Sequence, residues 1–315
     1  APPGTSVAPS PSPGMSDHMV KIILDTDIGG DIDDALCLGL ALNSHEVDLL
    51  AVTTVNTDPA MRARIAAKMT HIFDRPEIPV APGSRSMFDG SPTYCKDINH
   101  AVVVGLGDPV PTGDGVDLLI DTVRQHAGEA VIVAIGPWTN IAQAFDRAPD
   151  LAAAVPRMVL MGGQVDPPGP ESNIRCDPSA AAYVLDLPVD KLLVPLEVTR
   201  RQRYRVKDHG RLLRAGTRRA NLVADLMRSW QLGRRGGDPS ASPVLHDPLA
   251  LALAFDPSLA TAAEPMRIQV QMTAAGEAVT TPQAGDRPNV EVVRAVDEER
   301  FAHLFAQRIV APEDT

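Results

Sequence analysis

An acidic turn between a buried strand and a helix is the feature that most constrains this chain. Residues 20–24 are VKIIL, a short apolar run that predicts a buried strand. Residues 35–42 are ALCLGLAL, which predicts the start of a helix packed against a sheet. The turn between them carries five carboxylates, on Asp25, Asp27, Asp31, Asp33 and Asp34. Carboxylates this close repel one another, and a hard cation such as Ca²⁺ or Mg²⁺ relieves the repulsion because it prefers oxygen ligands.

Composition narrows the class of protein. The chain has 315 residues, 44% of them hydrophobic, which is enough for one large core. Its net charge of -11 argues against a nucleic-acid partner and suits a small-molecule enzyme whose acidic cluster holds a metal. No apolar run approaches the roughly 20 residues of a membrane span, so we expect no membrane partner. The three cysteines form no CxxC pair, which argues against zinc, and their odd number favours reduced thiols.

The first 19 residues differ from the rest. They are rich in proline, serine and alanine and have no apolar periodicity, so residues 1–19 are predicted to be a disordered tail. Residues 20–315 are then expected to form a single catalytic domain. The tail lacks the charged start and apolar centre of a signal peptide. We therefore expect a cytoplasmic protein, with secretion as the alternative if the tail follows a removed signal.

Beyond the acidic turn, strand-like and helix-like segments alternate. Strands are predicted over 47–55, 130–135, 157–161, 191–196, 266–272 and 289–296, and residues 94–111 are predicted to be a loop. The alternation predicts an α/β fold, an open, mostly parallel, Rossmann-like sheet with helices on both faces. Ligands bind beyond the carboxyl ends of such strands. Asn56, Thr139 and Gly163 follow predicted strands there, as does Asp27.

At this point the sequence resembles a known family. DTDIGGDIDDAL, at residues 25–36, is similar to the N-terminal aspartate signature of the calcium-dependent nucleoside hydrolases of the inosine–uridine-preferring type. Further blocks follow in the family's order from about residue 20 to the C-terminus: TTVN (53–56), AIGPWTNIA (134–142), MGG (161–163), ESNIRCDPSAA (171–181), LEVT (196–199) and LHDPLALAL (245–253). The resemblance implies the nucleoside hydrolase fold. It also implies Ca²⁺-dependent hydrolysis of the N-glycosidic bond of a purine or pyrimidine ribonucleoside, giving free base and ribose.

The same resemblance implies a role for each matched residue. Asp33 is expected to be the base that takes a proton from the calcium-bound water, and His246 to protonate the leaving nucleobase. The expected ribose-binding residues are Asn56, Glu171 and Asn173. The expected Ca²⁺ ligands are Asp27, Asp34, the Thr139 carbonyl and Asp247. Family members are often homo-oligomers, so a dimer or tetramer is expected.

General chemistry favours these roles independently. Glycosidic cleavage passes through an oxocarbenium-like transition state, whose positive charge nearby carboxylates stabilise. A bound cation lowers the pKa of its water, and an adjacent carboxylate accepts the proton. The nucleobase is a poor leaving group until it is protonated, and an imidazole titrates in the right range.

Two positions depart from the family pattern and leave alternatives open. Val165 stands where an asparagine is usual, and Ser172 where a large aromatic residue is usual. Gln164 or Asp166 would replace that asparagine if the loop is shifted. A modified or 5′-substituted nucleoside is therefore an alternative substrate, and a binding protein without turnover an alternative function. A metal-dependent phosphohydrolase is a weaker alternative, because no lysine stands in a suitable context.

Structural roles are expected for several other polar residues. Strand alternation points Asp25 away from Asp27, so Asp25 is expected to be structural. Asp31 is expected to support the metal site from outside or to face solvent. Asp177 precedes a proline and is expected to cap the following helix. Residues 200–236, with their many arginines, are expected to form a mobile helical lid with a solvated face, with phosphate binding as the alternative.

Overall fold

The computed structural model describes residues 19–93, 98–234, 236–238, 241–285 and 287–309. The predicted disordered tail therefore lies almost entirely outside the described residues. Among the helices within these ranges, none is long and apolar enough to span a membrane.

One large sheet organises the described chain. The strands are β1 (Val20–Thr26), β2 (Val47–Thr54), β3 (Val80–Pro82), β4 (Val131–Ala134), β5 (Met158–Met161), β6 (Lys191–Val194), β7 (Ala260–Met266), β8 (Ile268–Met272), β9 (Ala278–Pro282) and β10 (Val290–Val296). Eight of them form a sheet in the order β3-β2-β1-β4-β5-β6-β10-β7. All neighbours pair parallel except β7, which runs antiparallel to β10. The remaining two, β8 and β9, form an antiparallel hairpin.

Helices cover both faces of this sheet. The α-helices are α1 (Asp33–Asn43), α2 (Pro59–Ile72), α3 (Gly115–Gln125), α4 (Thr139–Arg147), α5 (Leu151–Ala154), α6 (Ser172–Cys176), α7 (Pro178–Asp186), α8 (Leu196–Thr199), α9 (Val206–Ala215), α10 (Arg218–Arg234), α11 (His246–Phe255) and α12 (Glu298–Arg308). Alternate residues of β1 enter different apolar clusters, since Ile22 and Leu24 pack with α1, α2 and α11, whereas Ile23 packs with α3, α4 and α7. The predicted open, mostly parallel α/β sheet with helices on both faces is confirmed.

The strand order places a ligand crevice beside β1. From β1 the chain adds β2 and β3 on one side and then crosses to add β4 on the other. Ligands bind beyond the carboxyl ends of the strands at such a switch point. The carboxyl ends of β1 and β4 approach each other closely. A Cβ added to Gly136, just after β4, would lie only 2.9 Å from the backbone nitrogen of Asp27. Only glycine allows this approach.

The structure differs from the sequence predictions in several places. The strand predicted over 191–196 ends at Val194, because helix α8 begins at Leu196, and strand β9 was not predicted. The predicted loop 94–111 contains a short 3-10 helix, Asn99–Val103. The block after Glu171 contains α6, a helix too short for apolar periodicity to mark. Within the predicted strand 266–272, Arg267 separates β7 from β8.

The expectation of reduced thiols holds for Cys37, which is buried and free, but it is wrong for Cys176, which is disulfide-bonded.

Candidate active site

Three buried aspartates converge where two helices begin. Asp33 and Asp34 lie in the first turn of α1, and Asp247 lies in the first turn of α11, which packs against α1. One carboxylate oxygen of each lies within 4.8 Å of the others. Oxygens at this spacing can share one Ca²⁺ ion, whose bonds to oxygen are about 2.3–2.6 Å long. The amino termini of helices also stabilise negative charge, which lowers the cost of placing ionised carboxylates at this position.

Burial raises the pKa of all three carboxyl groups. Asp33, Asp34 and Asp247 expose only 6%, 4% and 3% of their surface. Loss of hydration is the main cause of the raised pKa, and repulsion between neighbouring aspartates adds to it. A divalent cation would remove both penalties, because it neutralises the charges and replaces water as the partner of the oxygens. The donor set therefore fits a hard divalent metal.

Asp27 stands beside this triad and is tied to Asn56. The Asn56 side chain donates from Nδ2 to Oδ2 of Asp27 over 3.2 Å, and its Oδ1 accepts from the Thr93 hydroxyl over 2.9 Å. The Asn56 backbone has a φ of 78°, in the left-handed region that asparagine tolerates better than most residues. The sharp turn after β2 therefore holds the amide beside Asp27.

A buried arginine, Arg62, forms hydrogen bonds with the backbone of the acidic turn. The Arg62 side chain is 0% exposed, and its guanidinium donates to the carbonyl oxygens of Asp27 and Ile28. Its positive charge opposes the rise in the pKa of Asp34. Gly29 makes room for this packing, since its φ is 122° and a Cβ there would lie 2.8 Å from Cγ2 of Ile98. The role of Arg62 was not predicted. An arginine within a helical pattern gives no sign that its side chain contacts a turn 34 residues earlier in the chain.

Asp25 has the structural position that strand alternation predicts. Its Oδ1 accepts from the Thr53 hydroxyl over 2.5 Å and from Nδ2 of Asn140 over 2.7 Å. Asn140 Oδ1 in turn accepts from the backbone N–H of Ser84 over 2.8 Å. Burial raises the pKa of Asp25 to about 7. This network joins the ends of β1 and β2 to the start of α4, and it lies behind the cavity wall.

A cavity of about 270 Å³ lies above the acidic turn. Seven of the predicted site residues line it: Asp27, Asp33, Asp34, Glu171, Asn173, His246 and Asp247. Asn56 and Thr139 are not among the described residues of the lining. No catalytic, substrate-binding or metal-binding role was predicted for the other lining residues: Gly30, Asp31, Ile135, Met161, Pro170, Ser172, Leu196 and Arg200. Asp31 therefore borders the cavity directly.

Glu171 and Asn173 are held rigidly in the wall. The carboxylate of Glu171 caps α6, accepting from the backbone N–H groups of Asn173 over 2.9 Å and Ile174 over 3.1 Å, and it also accepts from Gly163 over 3.0 Å. Nδ2 of Asn173 donates to the carbonyl oxygens of Ile135 over 2.8 Å and Met161 over 3.2 Å. Since its nitrogen is engaged, the Asn173 amide can offer its oxygen to a substrate hydroxyl.

His246 and Thr139 are each oriented by a hydroxyl contact. Nδ1 of His246 lies 2.7 Å from the Thr199 hydroxyl, which fixes the imidazole at the cavity wall. The Thr139 hydroxyl donates to Asp177 over 2.7 Å. Asp177 also accepts from Ala180 N–H over 2.9 Å, so it caps α7 as predicted. The anchoring of Thr139 is a second role that the sequence did not reveal.

The loop between β5 and α6 explains the departures from the family pattern. Val165 is 2% exposed and packs in the core, while its N–H donates to Glu197 over 3.2 Å. Asp166 pairs with Arg294 at 2.9 Å, and the Gln164 amide donates to the Pro167 carbonyl over 2.9 Å. Neither Gln164 nor Asp166 is among the residues that line the cavity, and the side chain of each is engaged elsewhere.

The β8–β9 hairpin holds this loop through one threonine. Thr280 is 0% exposed, and its hydroxyl accepts from Gln164 N–H and donates to Gln164 C=O, each over 2.9 Å. Gly163 has a φ of 71°, and a Cβ there would lie 2.9 Å from the same hydroxyl. The hairpin therefore fixes the loop that leads to Glu171.

Replacing Thr280 with valine is expected to raise the KM for the nucleoside about tenfold with little effect on kcat. The change keeps the shape but removes the partner of the Gln164 N–H, while the Gln164 carbonyl keeps the hydrogen bond from Gly169 N–H over 3.3 Å. Leaving that N–H unpaired costs about 1–3 kcal/mol. The loop that carries Glu171 then loses its fixed position. Steady-state kinetics measure the effect, with Thr281→Val on the same strand as the matched control. An unchanged KM would show that the hairpin does not position the loop.

Comparison with known proteins agrees with this geometry. The family described as inosine-uridine preferring nucleoside hydrolase matches residues 22–303. The chain belongs to this family. A probable uridine nucleosidase 2 of Arabidopsis thaliana is 30% identical to this nucleoside hydrolase over 316 residues, which cover 92% of this chain and 97% of the relative.

Two solved structures show the same fold. A plant nucleoside hydrolase matches with a TM-score of 0.83 and 28% identity, covering 93% of this chain and 99% of its own. A purine-preferring ribonucleoside hydrolase from Gardnerella vaginalis matches with a TM-score of 0.79 and 26% identity, covering 92% and 98%. The protein is therefore a hydrolase that acts on ribonucleosides, and the resemblance found in its sequence is confirmed.

Proposed function

We propose that this nucleoside hydrolase cleaves the N-glycosidic bond of a ribonucleoside with the help of bound Ca²⁺, releasing free base and ribose. The observation that carries the proposal is the convergence of Asp33, Asp34 and Asp247 in one buried cluster at the floor of the cavity. Residues 20–315 are the proposed single catalytic domain. Ca²⁺ suits the site better than Mg²⁺, because it accepts irregular sets of carboxylate and carbonyl oxygens.

Four groups would hold the ion in this proposal: the carboxylates of Asp27, Asp34 and Asp247 and the carbonyl of Thr139. When bound, the ion supplies a positive charge that acidifies a water molecule near the substrate. Asp33 accepts the proton of the attacking water. Its position favours this role, because its carboxylate lies beside those of the proposed ligands Asp34 and Asp247 and borders the cavity.

The other predicted site residues bind the sugar and assist the leaving group. Glu171, Asn173 and Asn56 accept or donate hydrogen bonds to the ribose hydroxyls, and they fix C1′ near the attacking water. The carboxylates around the cavity stabilise the positive charge that develops on the ribose. His246 donates a proton to the departing nucleobase, since Thr199 holds its ring at the wall.

Release of free base from a panel of purine and pyrimidine ribonucleosides, followed by chromatography, tests the proposal. At least one nucleoside is expected to be cleaved in the presence of Ca²⁺. EDTA is expected to abolish base release, and added Ca²⁺ to restore it more fully than added Mg²⁺. Full activity after dialysis against EDTA would contradict the metal role, and failure to cleave every nucleoside would contradict the hydrolysis itself.

The proposal includes assembly into a homodimer or homotetramer, as the family resemblance implies. Exposed apolar side chains support it: Val102 on the 3-10 helix is 78% exposed and Leu232 on α10 is 65% exposed, and both border one surface groove. Burial of apolar surface of this kind favours association. Sedimentation velocity tests the assembly, and a monomer at micromolar concentration would contradict it.

A further inference from the structure

A single cationic side chain lies in the wall of the acidic cavity. Arg200 directly follows α8, and it lines the cavity together with Leu196 and Met161. Among the described residues of the lining, it is the one lysine or arginine. The rest of the lining contains five aspartates and Glu171.

Arg200 is available to a ligand, unlike its neighbours. Arg201 pairs with Glu298 at 2.6 Å, and Arg205 pairs with Glu299 at 2.9 Å. Within the described chain, Arg200 has no carboxylate partner. A surface arginine without a partner is ordinary, but this residue borders the cavity in which the substrate is proposed to bind.

The order of the strands separates Arg200 from the acidic turn. Asp27 follows β1, whereas α8 and Arg200 follow β6. Between β1 and β6 lie β4 and β5, so the two strand ends are three strand spacings, or about 14 Å, apart. Glu171 and Asn173, which follow β5, lie between them. A nucleoside whose ribose contacts Glu171 and Asn173 therefore extends toward Arg200 with a part that takes no direct part in bond cleavage.

Arg200 is the positively charged residue at this end of the cavity. The lining formed by the ends of β5 and β6 and the residues after them also contains the polar residues Glu171, Ser172 and Asn173 and the apolar residues Met161, Pro170 and Leu196. Residues 163–169 of the loop add no side chain to the lining. A guanidinium matches planar, oxygen-rich anions by paired hydrogen bonds, whereas a neutral hydroxyl uses only part of its donor set.

We propose that Arg200 determines specificity by binding an anionic group of the substrate, so that the preferred ribonucleoside carries a phosphate or a carboxylate. This inference rests on the proposed function. The anionic group is a 5′-phosphate on the ribose or a carboxylate on the base. In either case the C1′–N bond breaks, water supplies a hydroxyl group to C1′ and a proton to the base, and the anionic group remains unchanged.

The test compares uridine, uridine 5′-monophosphate and 6-carboxyuridine as substrates, with Ca²⁺ present. The wild-type enzyme is expected to cleave one of the two anionic nucleosides at least about tenfold more efficiently, in kcat/KM, than uridine. Arg200→Ala is expected to lower kcat/KM for that substrate about 10- to 100-fold more than for uridine, the usual range for a lost hydrogen bond between charged groups. The preferred substrate identifies the position of the anionic group.

Three variants make the result specific. Arg201→Ala is the matched control and is expected to keep the wild-type ratio between anionic and neutral substrates, because Arg201 pairs with Glu298 outside the cavity. Arg200→Lys is expected to keep part of the preference, and Arg200→Glu to reverse it. Equal losses for charged and neutral substrates in Arg200→Ala, or a wild-type enzyme that prefers uridine to both anionic nucleosides, would overturn the inference.

A binding measurement separates this inference from the proposed function. Calorimetry is expected to show tighter binding of ribose 5-phosphate than of ribose when the group is a 5′-phosphate, or of 6-carboxyuracil than of uracil when it is a carboxylate. Arg200→Ala is expected to remove the difference. If uridine is cleaved but ribose 5-phosphate binds no more tightly than ribose and 6-carboxyuracil no more tightly than uracil, the inference fails and the proposed function stands. If no nucleoside releases its base, the proposed function fails whatever the binding shows.

Discussion

Replacing Asp33 with alanine is expected to lower the rate of base release by about 10³-fold or more, since a general base contributes about 10²–10⁴-fold. The residue lies at the cavity floor, and its carboxylate oxygen is within 4.8 Å of those of Asp34 and Asp247. Without it, the carboxylates of Asp34 and Asp247 remain, but they are the proposed metal ligands, so the attacking water loses its proton acceptor. The chromatographic assay of free base measures the loss.

The same variant decides between two roles for Asp33, because its position suits a base and a metal ligand alike. If Asp33 is the base, calorimetry shows Ca²⁺ binding close to that of the wild type in the inactive variant. Loss of Ca²⁺ binding together with activity would instead identify Asp33 as a ligand. Asp31→Ala, two residues earlier in the turn, is the matched control and is expected to cost less than about tenfold in rate. Unchanged turnover in Asp33→Ala would exclude Asp33 from catalysis.

In EDTA, the melting temperature of the protein is expected to fall by several degrees as the pH is raised from about 5 to 8. The folded state raises the pKa of Asp33, Asp34 and Asp247, mainly because burial removes their hydration. Between the unfolded pKa, about 4, and the raised folded pKa, the folded state retains protons that the unfolded state has released. Stability is therefore highest below the unfolded pKa and is lost as the pH rises through the folded values. Asp25, with a pKa raised to about 7, adds to the same slope.

Added Ca²⁺ is expected to reverse this trend. A ligand that binds only the folded state stabilises it, and Ca²⁺ binds more tightly as the carboxyl groups lose their protons. Differential scanning fluorimetry at several pH values measures both effects. Asp247→Asn is the informative variant: it is expected to stabilise the metal-free protein at pH 8 and to reduce the gain from Ca²⁺. A melting temperature that does not change with pH in EDTA would contradict the explanation.

The sequence predicted the main sheet and the acidic residues because both have local signals. Apolar runs marked strands such as β4 and β6, and the polar residues after them marked the edge where ligands bind. The carboxylates of the acidic turn were predicted to form a metal site, because their close spacing in the sequence implies strong mutual repulsion.

What the sequence did not reveal depends on contacts between distant residues. Thr280 holds Gln164 across 116 positions, and Arg62 meets the carbonyl oxygens of the acidic turn from within an ordinary helix. No local pattern distinguishes either residue from its neighbours. Arg200 is similar: a sequence rich in arginine does not say which one borders the cavity and which, like Arg201, forms an ion pair outside it.

The wide separation of the converging aspartates bears on how the enzyme folds. Asp34 and Asp247 lie 213 positions apart, so the cluster is incomplete until α11 has been synthesised and has packed against α1. A growing chain therefore exposes its acidic turn long before the third carboxylate arrives. Contacts of such long range slow folding. Chains that end before α11 therefore lack a complete site for the proposed ion.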